Sequence, residues 1–106
     1  MANDESSTPF RVVWNGESQK QVHQLAAIAQ SQGRQQSLRL AQTLRIVERA
    51  LTWVPEEWGE PTKNLRFAQL QLCTGFAEEY VVNYAIHKLQ KLVIVKAIRP
   101  MKQRRS

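Results

Sequence analysis

The residues with the clearest chemical potential are cations, and most of them lie in the second half of the chain. Lys63 and Arg66 stand close together, and Lys96, Arg99, Lys102, Arg104 and Arg105 fall within the last eleven residues, which hold no acid. Residues 1–60 carry six basic and seven acidic side chains, a net of −1, whereas residues 61–106 carry nine and two, a net of +7. A cationic half of this kind attracts polyanions, either nucleic acid or an acidic protein segment. Arginine adds a planar fork of donors that matches phosphate and carboxylate oxygens. His87 is the side chain best suited to carry a proton near neutral pH, and it is a weak catalytic candidate because it stands alone in a turn-like stretch.

Other chemistries find little support. Cys73 is the only cysteine and precedes no basic cluster, so it reads as a packed thiol. Two histidines in separate segments and one cysteine do not make a zinc site, and no metal or cofactor is expected. No phosphate-binding glycine loop is readable, nor a Ser/His/Asp set. Glu56 and Glu57 are adjacent in a loop and fix no acid/base geometry. No apolar run is long enough to span a membrane, and the polar start lacks the pattern of a signal peptide, so a cytoplasmic location is expected.

The elements that must position these cations follow from the hydrophobic pattern. Residues 1–8 read as a disordered lead, residues 9–101 as one domain and residues 102–106 as a basic tail. Phe10–Trp14 reads as a strand. A helix follows from about Gly16 to Ser31, started by Asn15 or by a capping box between Ser18 and Gln21. Its apolar stripe is Val22, Leu25, Ala26 and Ala29. Gly33 ends it, and a second helix runs from about Gln35 to Trp53 with Leu40, Leu44, Val47 and Leu51 on one face. Ile46, Ala50 and Trp53 widen that face, which places Trp53 in the core with Trp14. So short a link makes the pair a helical hairpin.

Val54–Pro61 reads as an acidic loop broken by Pro55, Gly59 and Pro61, with Trp58 folding it back onto the core. Leu65–Cys73 reads as a strand, Thr74–Gly75 as a turn, Tyr80–Ile86 as a second strand and Lys91–Arg99 as a third, which is ended by Pro100. Tyr80 and Tyr84 share a strand face with Val82 and Ile86 and pack on the helices. The apolar run Leu92–Val95 marks a central strand. The fold class is α+β: a strand, a helical hairpin, then a three-stranded antiparallel meander.

This order resembles the RelE/ParE toxins of bacterial toxin–antitoxin pairs. The resemblance is carried by Phe10–Trp14, by Trp58-Gly59-Glu60-Pro61, and by Glu79–Ile86 followed by Leu92–Arg99. It implies neutralisation by a cognate antitoxin, here through an acidic segment on the basic half, and a target that is either the ribosome with its messenger RNA or DNA gyrase. RelE-like members cut messenger RNA. Where such nucleases often carry a phosphate-binding arginine this chain has Val81, and where they often carry His or Tyr it has Pro100 and Met101. The expected function is therefore a toxin-like protein that binds through a basic surface without efficient cleavage. The alternatives are a ribosome-dependent endoribonuclease or a non-toxic nucleic-acid or protein interaction module.

Overall fold

The computed structural model describes residues 8–65 and 68–101. The order is β1 (Arg11–Trp14), α1 (Gly16–Gln32), α2 (Arg34–Trp53), the single turn α3 (Pro55–Trp58), β2 (Glu60–Leu65), β3 (Leu70–Ala77), β4 (Tyr80–His87) and β5 (Leu92–Pro100). One five-stranded sheet has the order β1-β5-β4-β3-β2. β1 runs parallel to β5, and the remaining pairs are antiparallel. The α+β order read from the sequence holds. The meander has one more strand at its start, because β2 and β3 form a hairpin of their own.

The start of α1 is fixed by Asn15, whose side chain accepts from the Ser18 amide at 2.9 Å. The Ser18 hydroxyl, fully buried, lies 2.9 Å from the Asn15 carbonyl and 3.0 Å from that of Val95. It ties the helix start to β5. Gln21 closes no capping box. Its Oε1 accepts from the Ile98 amide of β5 at 2.7 Å, and its Nε2 donates to Glu17. Gly33 alone joins the two helices at φ 119°, a conformation that costs glycine little.

The helices cover one face of the sheet. Leu25 and Ala29 from α1, and Leu40, Val47 and Leu51 from α2, meet Val82, Tyr84, Ile86, Val93, Val95 and Ile98. Burial of each large apolar side chain contributes about 1.5–3 kcal/mol. Tyr84 and its neighbours thus occupy the face expected of them. Ala26 is exposed and Val22 half-buried, so the α1 stripe is narrower than the pattern suggests.

Several expectations need correction. Val54–Pro61 is not simply a loop: it holds α3 and the start of β2. Pro61 does not stop β2, because an edge strand can carry a residue with no amide to donate. Of the strand expected over Leu65–Cys73, Leu65 ends β2, Gln69 adopts φ 57° and Leu70–Cys73 open β3, while residues 66 and 67 lie outside the described residues. Thr74 and Gly75 lie inside β3, and the turn comes at Glu78, where φ is 55°. Ile46 and Trp53 are not core residues. They are 48% and 53% exposed, because α2 turns only Leu40, Thr43, Val47 and Leu51 fully inward. The lead at 1–7, Arg66, Lys102, Arg104 and Arg105 lie outside the described residues. Among the described residues no helix is long and apolar enough to cross a membrane.

Candidate site on the open face of the sheet

Successive strand residues point to opposite faces. With Cys73, Gly75, Val82, Tyr84, Val95 and Ile98 turned to the helices, the other face carries Thr74 and Phe76 of β3, Val81 and Asn83 of β4, and Ala97 and Arg99 of β5. Among the described residues no helix packs on it.

A polar row crosses this face. Arg99 Nη1 donates to Asn83 Oδ1 at 2.9 Å, and Asn83 Nδ2 donates to Thr74 Oγ1 at 2.9 Å. Glu60 of β2 stands opposite Thr74 in the ladder and so lies on the same face. Along one side the row is bordered by Phe76, 57% exposed, and by a cavity of about 660 Å³ lined by Val81, Arg99, Pro100 and Met101. Arg99 has no carboxylate partner among the described residues, where the sole ion pair is Lys88–Glu56 at 3.7 Å. Asn83 takes one of its five N–H groups. The rest of the fork is free for a phosphate or carboxylate.

The register of β5 depends on a β-bulge. Asn83 stands opposite Ala97 but Tyr84 stands opposite Val95, so Lys96 is the extra residue, exposed at the kink. The Gln21 bond to Ile98 holds the strand just beyond it.

Glu60 is placed by a rigid corner. The Tyr84 hydroxyl donates to the Pro55 carbonyl at 2.6 Å and accepts from the Gly59 amide at 2.9 Å. The Trp58 ring lies 5.8 Å from that of Tyr84 and covers Gly75, where a Cβ would run into the indole. A Cβ at Gly59 would meet the Tyr84 hydroxyl and the Thr74 backbone. Trp58 therefore folds the corner onto the sheet. Burial, above all, holds the Tyr84 hydroxyl protonated well beyond the ordinary phenol value of 10.0. Cys73 is buried nearby, and burial pushes its thiol up from 9.0.

The sequence-predicted cations do not form one cluster. Lys63 shares the open face, as the ladder partner of Leu72. It sits on β2, three strand spacings across the sheet and about four residues along the ladder from Arg99, and so about 19 Å from the Arg99 backbone. His87 is also on this face, opposite Leu92, four residues along β4 from Asn83 and so about 13 Å away. Its Nδ1 is buried without a partner among the described residues. Sequence reading missed Glu60, Thr74 and Asn83. The one available signal was Asn83, a polar residue on the opposite side of the alternation from Val82 and Tyr84.

No family model matches the chain, and no curated protein matches it. Solved structures do. A chain of the toxin–antitoxin complex RelBE2 from Mycobacterium tuberculosis is similar, with a TM-score of 0.67 and 16% identity over 91% of this chain and 95% of that one. A chain of the archaeal RelE–RelB complex from Pyrococcus horikoshii OT3 gives 0.57 and 17% over 90% and 98%. The fold is RelE-like.

Proposed function

We propose that this chain is a toxin-like protein of a toxin–antitoxin module, acting by binding through the cationic side of its sheet and not by efficient RNA cleavage. The fold it shares with chains of two such complexes supports the module. The observation that carries the rest is Arg99. It is aimed by Asn83 across an open face, with Val81, Pro100 and Met101 around it. Cutting RNA through its 2′-hydroxyl needs a base, an acid and cations for the developing charge. Among the described residues, the polar row supplies a cation and one carboxylate, and the nearest imidazole on this face is about 13 Å along the strand. Such a row is equipped to hold an anion: a phosphate of the target or a carboxylate of an acidic antitoxin segment.

A second reading, a ribosome-dependent endoribonuclease, is favoured by one observation: Glu60 and Arg99 share the face and flank Thr74 and Asn83. Primer extension on messenger RNA in a reconstituted translation reaction separates the two. Intact RNA at protein excess, together with growth arrest on expression, supports binding. New ribosome-dependent ends that vanish in Glu60→Gln and Arg99→Ala would establish the nuclease instead.

A further inference from the structure

The helical hairpin and the β3–β4 turn enclose a cleft of about 180 Å³ on the helix side of the sheet. Its floor is apolar, with Leu25 and Leu40 buried and Ile28 forming a half-exposed side. Arg39 of α2 lines one wall, and Glu78 and Glu79 of the turn line the other. Among the described residues the sole ion pair is Lys88–Glu56, so Arg39 is bridged to neither glutamate. Two hydroxyls join the lining. Thr43 is 2% exposed, and its Oγ1 donates to the Arg39 carbonyl at 2.9 Å, which leaves its lone pairs to accept. Tyr80 feels both charges: burial and then Glu79 raise its hydroxyl above the ordinary 10.0, while Arg39 works against them. A cation and two carboxylates thus face one enclosed space without neutralising each other by contact.

We propose that this cleft binds a free α-amino acid with an aliphatic side chain. The carboxylate takes the Arg39 fork, the ammonium takes Glu79, and the side chain covers Leu25 and Leu40. A guest of one charge is disfavoured: an anion meets Glu78 and Glu79, and a cation meets Arg39. A guest carrying both charges satisfies both walls. The size agrees. Drug-sized ligands fill roughly 300–1,000 Å³, so the match here is a guest of about ten heavy atoms. A helix of another protein is too large to enter. Charge contacts at exposed side chains add little singly, so affinity on the order of millimolar is expected. Tyr80 packs on the helix side and Arg99 lies on the opposite face of the sheet. The inference therefore holds whatever the Arg99 row binds.

The test uses the full chain labelled with ¹⁵N and reads the backbone amide signals of Thr43 and Tyr80. The probe is L-leucine, titrated through the millimolar range. Two analogues are the controls: 4-methylpentanoate, which lacks the ammonium, and 3-methylbutylamine, which lacks the carboxylate. Leucine is expected to move both signals to saturation, and each analogue should bind about tenfold more weakly. Leucine affinity should fall about tenfold in Arg39→Gln and in E78Q/E79Q. The analogues should respond in opposite directions. The carboxylate analogue gains in E78Q/E79Q, where its repulsion is gone, and the amine gains in Arg39→Gln. Arg99→Ala should leave leucine binding unchanged, which separates this site from the proposed function of the sheet face. Arg39, Glu78 and Glu79 are exposed, and a urea midpoint checks the fold of each variant. The inference is overturned if leucine leaves both signals in place. It is also overturned if the analogues bind as well as leucine does, or if the variants bind leucine as well as the parent does.

Discussion

Asn83 aims Arg99. The 2.9 Å bond from the guanidinium to the amide oxygen, with Thr74 holding the amide in turn, leaves the arginine with less freedom to lose when it binds an anion. Arg99→Ala is expected to weaken binding of a glutamate-rich peptide or a short RNA by about tenfold, a loss of roughly 1.4 kcal/mol. Arg99→Lys should restore only part of it, because lysine lacks the fork. Asn83→Ala should fall between. Calorimetric titration at two salt concentrations checks this, with affinity dropping as salt rises.

The corner under Glu60 hangs on one hydroxyl. Tyr84→Phe removes the partner of both the Pro55 carbonyl and the Gly59 amide in a buried setting. The expected cost is about 1–3 kcal/mol. A urea midpoint gives the size, and hydrogen exchange should show the Gly59 amide opening faster than the amides of β4.

Gly75 and Trp58 should behave as one unit. Gly75→Ala drives a Cβ into the indole and is expected to destabilise by about 1–3 kcal/mol. In Trp58→Ala the obstruction is gone, so Gly75→Ala should then cost much less. A double-mutant cycle on urea midpoints reads the difference, and additive losses would contradict the packing described.

Stability should fall at alkaline pH. The Cys73 thiol and the Tyr84 hydroxyl are both raised, chiefly by burial, from 9.0 and 10.0. In the unfolded chain they give up protons first, so the folded state binds more protons above about pH 9. The stability they contribute is complete below their unfolded values and is lost as pH rises toward the folded ones. Denaturation midpoints should therefore be level through neutrality and drop above pH 9. Cys73→Ala should postpone the onset, and Tyr84→Phe should remove the later part of the decline.

Much of the architecture was legible because burial leaves a period. Leu25 and Ala29, then Leu40, Val47 and Leu51, mark the inward faces of α1 and α2. Tyr80–Ile86 and Leu92–Val95 mark β4 and β5, although β5 is second in the sheet rather than central and, among the described residues, is covered by helices on one face only. What was hidden depends on partners distant in sequence. Pro61 and Gly59 look like breakers, yet β2 is an edge strand that tolerates the proline, and Gly59 is needed where the Tyr84 hydroxyl approaches. Gly75 looks like a turn but serves the Trp58 ring. Trp53 extends the apolar pattern of α2 by composition, although the helix rotates it outward. The Arg99–Asn83–Thr74 row needs the register set by the bulge at Lys96, which no linear pattern encodes.

The position of β5 has a kinetic consequence. The last strand in sequence is second in the sheet, between β1 from the start of the chain and β4. The helical hairpin and the β2–β3–β4 meander can form locally, but β1 has no strand to pair with until β5 arrives. Ser18 and Gln21 likewise wait for Val95 and Ile98. During synthesis, closure of the sheet is therefore deferred until β5 has cleared the ribosome, and long-range pairing of this kind slows folding. Arg99 itself rides on that strand, so the Arg99–Asn83–Thr74 row is not assembled until translation of the domain is finished.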